Sequence, residues 1–308
     1  MMDKSSDKLQ IEIAKQVLKN PILLASGTAG FGYDIADVLD ISQLGGIVTK
    51  TITLEPRDGN PPPRIWETPS GMLNSIGLAN PGLEVFIKDI VPLLADLPTE
   101  IIVSVGGNSE GEFIELVEKL SEIDFVNTIE LNLSCPNVKE GGIHFGRNPD
   151  TVFSLLKKLR TITKKSLWAK LSPQVTDIAE LGIAAQDGGA DAISLINTLP
   201  AMAIDIKTRK PMLGAITGGL SGPAIHPVAV AMVYELSKKI GIPIIGIGGV
   251  YRPEDAVELI IAGASAVQIG SGYFADTTLP QRTVSFLDSY ISRNEFDNVA
   301  QIVGSVKI

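Results

Sequence analysis

The chain has 308 residues, 44% of them hydrophobic and 20% charged, and its 26 Lys+Arg against 35 Asp+Glu leave a net charge of −9. That balance argues against nucleic acid or an anionic membrane as the main partner, so an anionic ligand must meet a local cationic site. One cysteine excludes an internal disulfide and any multi-thiolate zinc or iron–sulfur centre, and two histidines leave zinc-histidine and Ser-His-Asp chemistry poorly supplied.

The opening run MMDKSSDKLQ carries charge without an apolar signal core, and no stretch approaches the roughly 20 apolar residues of a membrane span. The expectation is a cytoplasmic protein. Short apolar runs, each followed by turn residues, predict strands at 22–27, 45–53, 101–107, 128–135, 167–172, 192–198, 242–250 and 266–272. Amphipathic segments such as 111–123, 150–163, 226–240 and 253–263 lie between them, several opened by Asp or Pro. Strands alternating with helices imply an α/β fold, and eight of them a single (β/α)8 TIM barrel over residues 1–308. A doubly wound open sheet is the alternative, because strand order is not readable from one sequence. The stretches 54–81, 136–149 and 199–225 are too long for simple connections. All three follow strand C-termini, so long loops are expected over the C-terminal face, as a substrate cover.

Polar residues gather where the strands end: Ser26, Lys50, Thr51, Asn132, Ser134, Cys135, Lys170, Asn197 and Thr198. Alternation along 128–135 sets Asn132 and Ser134 opposite Leu131 and Leu133, which aims the asparagine into the barrel mouth. An ammonium on an inward strand position is costly unless an anion or strong acceptors meet it, so Lys50 and Lys170 imply a negatively charged or electron-rich ligand. Snorkelling, or pairing with a carboxylate such as Glu130, would explain them without one. GIGGV (246–250) and QIGSG (268–272) end the last two strands, where glycine backbone and a helix N-terminus recur as a phosphate site. Such barrels include lyases and isomerases as well as flavoenzymes. Cys135, in NLSCPN (132–137), is either a small buried hydrophobe or a rim thiol able to exchange a proton with substrate.

The runs TKTITLEPRDGNPPPR (49–64), GMLNSIGLANPG (71–82), ELNLSCPN (130–137) and GGLSGPAI (218–225), with the closing GIGGV and IGSG, resemble the dihydroorotate dehydrogenase family. They occur in the family's order along nearly the whole chain. WETPSGMLNSIGL (66–78) is similar to the type 1B branch, which passes electrons to NAD through a separate iron–sulfur flavoprotein. Type 2 members have a serine base and an N-terminal membrane extension; this chain has Cys135, and no such extension is expected.

The resemblance implies oxidation of (S)-dihydroorotate to orotate in pyrimidine biosynthesis, with FMN accepting hydride from C6 and Cys135 removing the C5 proton. It implies substrate contacts from Lys50, Asn74, Ser75, Ile76, Gly77, Leu78, Asn132, Asn197 and Thr198. FMN contacts are implied for Ser26, Lys50, Thr51, Ser104, Asn132, Lys170, Ile196, Gly222, Gly248, Gly249, Gly270 and Ser271, the last four at the phosphate. FAD and a 2Fe-2S cluster are expected only on the partner subunit, with a homodimer of this chain at the core of a heterotetramer. Two positions depart from the pattern: Ser104 stands where type 1 members commonly have asparagine, and Ala201 where a glycine is usual. A related FMN-dependent pyrimidine-ring reductase, with a similar loop cysteine, is the nearest alternative, and a flavin-free barrel lyase or isomerase the more distant one.

Overall fold

A computed structural model of the chain describes residues 8–14, 16–133 and 146–308. Eight parallel strands run in chain order: β1 Ile22–Leu24, β2 Gly46–Val48, β3 Glu100–Val105, β4 Thr128–Asn132, β5 Ser166–Lys170, β6 Ala192–Leu195, β7 Ile244–Ile247 and β8 Ala266–Ile269. Each pairs with its neighbours in sequence, and β8 returns to β1 through Val267↔Ile22 and Ile269↔Leu24, closing the barrel. Sequential order with closure is the (β/α)8 TIM barrel and excludes the open sheet. The strands are shorter than the predicted runs. The tail of 45–53 leaves β2 after Val48 but stays against β3, through Thr49 N to the Ile102 carbonyl at 2.9 Å and an isolated bridge from Ile52 to Val105, so its polar residues form the rim.

Among the described residues, six longer helices follow the later strands: α1 Glu110–Ser121, α2 Pro149–Ile162, α3 Ile178–Gly188, α4 His226–Ser237, α5 Pro253–Ala262 and α6 Leu279–Arg293. Three start on a side-chain cap, Ser109 accepting from Glu112 N, Asn148 from Thr151 N and Asp177 from Ala179 N. Each turns an apolar stripe inward, as Leu116, Val117 and Leu120 of α1 and Leu155, Leu156 and Leu159 of α2 do. The first crossover differs from the expected pattern: two short 3₁₀ turns, Tyr33–Ile35 and Ile41–Gln43, replace a helix. None of the helices among the described residues is long and apolar enough to cross a membrane.

Inside the barrel, one layer from even-numbered strands is polar. Glu130 (β4), fully buried, accepts from Ser194 Oγ (β6) at 2.7 Å and Gln268 Nε2 (β8) at 2.8 Å through the same oxygen, Oε2. Alternate strands contributing to a layer is the usual barrel packing, normally with branched apolar side chains.

The stretches 54–81 and 199–225, expected as loops, contain strands. Ile65–Thr68, Gly71–Asn74, Gly218–Ser221 and Leu199–Ala201 form a four-stranded antiparallel sheet across the C-terminal face, in register through Gly219↔Asn74 and Leu199↔Leu220. Its glycines permit the close pairing, since a Cβ on Gly71 would lie 2.0 Å from the Ser221 carbonyl oxygen.

Candidate active site

Beneath this cap, at the C-terminal mouth of the barrel, lies a cavity of about 1570 Å³. Pockets for one small molecule usually hold roughly 300–1,000 Å³, so this one has room for more than a single ligand of that class. Its walls come from both the strand ends and the cap. Ser26, Lys50, Thr51, Asn132, Lys170, Ile196, Asn197 and Thr198 line it from the barrel, and 74–78 from the cap sheet. Gly248, Gly249, Gly270 and Ser271 line its far end, after β7 and β8.

The barrel wall is one hydrogen-bonded surface. Ser26 Oγ lies 3.1 Å from Thr51 Oγ1, and Thr51 Oγ1 2.9 Å from Ser104 Oγ. Asn197 donates from Nδ2 to Asn132 Oδ1 at 3.3 Å, while its own Oδ1 accepts from Thr198 N at 2.7 Å. These bonds fix which end of each amide faces which neighbour and leave further amide hydrogen-bonding capacity beside the cavity. From the cap, Asn74 Nδ2 donates to the Gly219 carbonyl at 3.3 Å, joining its two central strands.

Two lysines face the cavity. Lys50 is half-buried; desolvation, and secondarily the Arg64 guanidinium, hold its ammonium below the ordinary 10.5. Lys170 Nζ lies 3.5 Å from Glu130 Oε1, and both side chains are almost fully buried. The carboxylate pairing that the sequence left open is thus present for Lys170, yet its side chain still reaches the cavity wall.

Two expected flavin contacts stand back from the cavity. Ser104 is buried behind Thr51 and bonded to it, so it can reach a ligand only through that hydroxyl. The Gly222 carbonyl packs against Gly249, and a Cβ on Gly222 would be 2.5 Å from Gly71 Cα, so Gly222 supports the wall rather than lining it. Cys135 and Ser134 lie outside the described residues. Asn60, which does not stand out in the sequence, also lines the cavity and donates to Ser75 Oγ at 2.8 Å. Its only signal is its place in the Pro-rich run before Arg64. Glu130 is legible in the sequence only as a partner for lysine, and Gln268 only within QIGSG; their convergence needs the closed barrel.

The family model described as dihydroorotate dehydrogenase matches residues 8–290. A protein of Caldicellulosiruptor saccharolyticus named "Dihydroorotate dehydrogenase B (NAD(+)), catalytic subunit" is 49% identical over 300 residues, covering 97% of this chain and 99% of its own length. Proteins of the same name from Geotalea daltonii and Bacteroides fragilis are 47% and 45% identical over 300 residues, each covering 97% of this chain and 98% and 99% of their own lengths. A closed barrel, a polar cavity at its C-terminal mouth and full-length similarity of this degree agree: the chain belongs to the dihydroorotate dehydrogenase family.

Proposed function

We propose that the chain is the catalytic subunit of an NAD-linked dihydroorotate dehydrogenase, oxidising (S)-dihydroorotate to orotate in pyrimidine biosynthesis with FMN held in the cavity. The supporting observation is convergence: Lys50, Asn74, Asn132, Asn197, Thr198 and Lys170 share one cavity with room for two ligands. The residues fit a phosphorylated flavin. Lys50 supplies a cationic group on the cavity wall of a chain of net charge −9, and Lys170 adds a second ammonium paired with Glu130. A Cβ on Gly27 would meet nothing within 4 Å and one on Gly270 only atoms at 3.9 Å or beyond, so glycine backbone fronts open space at the far end.

When bound, the flavin supplies a two-electron acceptor for the hydride leaving C6 of the substrate. The chain's residues do the rest. Lys50 offsets the substrate carboxylate, and Asn74, Asn132 and Asn197 match the amide edges of the pyrimidine ring. Ser75, Ile76, Gly77 and Leu78 close over it from the cap. Cys135 takes the C5 proton onto Sγ as general base. Lys170, paired with Glu130, offsets negative charge on the reduced ring. Ser26, Thr51 and Ile196 hold the ring system, Ser104 acts through Thr51, and Gly248, Gly249, Gly270 and Ser271 receive the phosphate.

The names of the relatives carry "NAD(+)" and "catalytic subunit". With one cysteine the chain cannot ligate an iron–sulfur cluster through four thiolates. We therefore assign FAD and a 2Fe-2S cluster to a separate subunit, flanking a homodimer of this chain. The test is reconstitution. The isolated chain should bind one FMN and form orotate with an artificial electron acceptor, and NAD turnover should need the co-expressed partner. A colourless protein that FMN does not reconstitute would overturn the proposal.

A further inference from the structure

His226, the first residue of α4, is buried and has no part in the chemistry above. Its ring stands behind the turn that leaves β7: Nδ1 is 2.8 Å from the Gly248 carbonyl oxygen and Nε2 is 3.2 Å from Glu258 Oε2 on α5. A carbonyl oxygen can only accept, so the bond to Gly248 is donated by Nδ1–H, and the opposite ring nitrogen faces the Glu258 carboxyl. The backbone packs as closely, since a Cβ on Gly249 would lie 2.7 Å from His226 Cβ and 2.8 Å from its amide nitrogen. Gly248 and Gly249 adopt φ of +142° and +67°, open to glycine and strained for other residues. Those two glycines line the cavity, whereas His226 does not. The imidazole therefore stands one layer behind the cavity wall, bonded to it at the Gly248–Gly249 turn.

A metal is the competing use of this cluster, because one ligand atom each from His226, Asp255 and Glu258 lies within 4.8 Å of the others. Asp255 is already engaged: its Oδ2 accepts from Tyr251 N and Arg252 N at 2.9 Å, closing the start of α5. His226 Nδ1 is likewise occupied by Gly248.

We propose that His226 is a positioning residue for the phosphate of the mononucleotide cofactor. Its Nδ1–H fixes the Gly248 carbonyl and with it the glycine turn at the phosphate end, and Glu258 holds the ring from behind. This rests on the FMN site proposed above.

Riboflavin separates the two, because it carries the same ring and ribityl chain without phosphate. Kd values of the apo-protein for FMN and riboflavin, read from flavin fluorescence, give a preference ratio that isolates the phosphate end. His226→Leu should weaken FMN binding about tenfold and leave riboflavin unchanged. His226→Asn, whose amide N–H can replace Nδ1–H, should recover most of that loss. Glu258→Gln alters an exposed side chain and should reduce the ratio about threefold without endangering the fold. A wild-type ratio in Glu258→Gln, or equal losses for both flavins in His226→Leu, overturns the proposal; the Glu258→Gln ratio decides the matter even if His226→Leu fails to fold. A wild-type protein that binds neither flavin overturns the FMN site itself, and this inference with it.

Discussion

Lys50 connects burial to pH. Its ammonium is held below 10.5 by desolvation first and by Arg64 second, so the neutral amine is reached at a lower pH than in a free lysine. An anionic ligand favours the ammonium. Affinity for orotate is therefore full below the lowered value and falls as pH rises through it. A titration should show Kd climbing before pH 10.5, and Lys50→Gln should bind more weakly with a flat profile over that range. A flat wild-type profile would remove Lys50 from the carboxylate site. The Lys170–Glu130 pair makes a second forecast, since removing one partner of a buried ion pair leaves the other uncompensated. Lys170→Ala should cost about 3–5 kcal/mol in denaturant unfolding. Adding Glu130→Gln should recover stability without restoring flavin reduction. For Cys135→Ala the expectation is FMN still bound and dihydroorotate oxidation lost, while Cys135→Ser keeps a small remainder because a hydroxyl ionises far less readily than a thiol. Most of these side chains stand out in the sequence because polar residues at strand ends are conspicuous against apolar runs. Asn60 and Gln268 do not, because their roles come from contacts across the closed barrel and from the cap.

Among elements, the barrel strands are readable in the sequence and the cap is not, for one physical reason. A strand buried on both faces is written as a continuous apolar run, such as IIVSV at 101–105. The cap strands, such as GMLN at 71–74 and GGLS at 218–221, owe their form to pairing between segments far apart in the chain, through Gly219↔Asn74, and show no alternation of their own. The first crossover misleads for the opposite reason: alternation of strand and helix elsewhere suggests a helix where 3₁₀ turns suffice. Asn80 anchors the cap segment to the barrel rim. Its Nδ2 donates to Thr53 Oγ1 and to the Leu78 carbonyl, both at 2.7 Å, and its Oδ1 accepts from Gly82 N at 2.9 Å. Asn80→Ala strands several buried groups, so it should lower unfolding free energy by about 2 kcal/mol. Because Leu78 lines the cavity, the proposed substrate cover predicts that KM for dihydroorotate rises in the same variant. An unchanged KM would detach the 74–78 segment from substrate.

The molecule as a whole divides labour between a rigid cylinder and the cap laid over it. Closure of β8 on β1 fixes the strand ends that carry Lys50, Asn132, Lys170 and Asn197, and the cap encloses the cavity from above. The protein carries a net charge of −9, yet two ammonium groups, Lys50 and the Glu130-paired Lys170, stand at this mouth. An anionic substrate then gains from them mainly at close range, where screening by salt is weakest. The most direct test is an anaerobic titration of the FMN-loaded chain with (S)-dihydroorotate, following the visible flavin absorbance and the orotate formed. One equivalent should bleach the flavin and yield one orotate; a flavin that stays oxidised while the substrate is recovered unchanged would contradict the proposed chemistry.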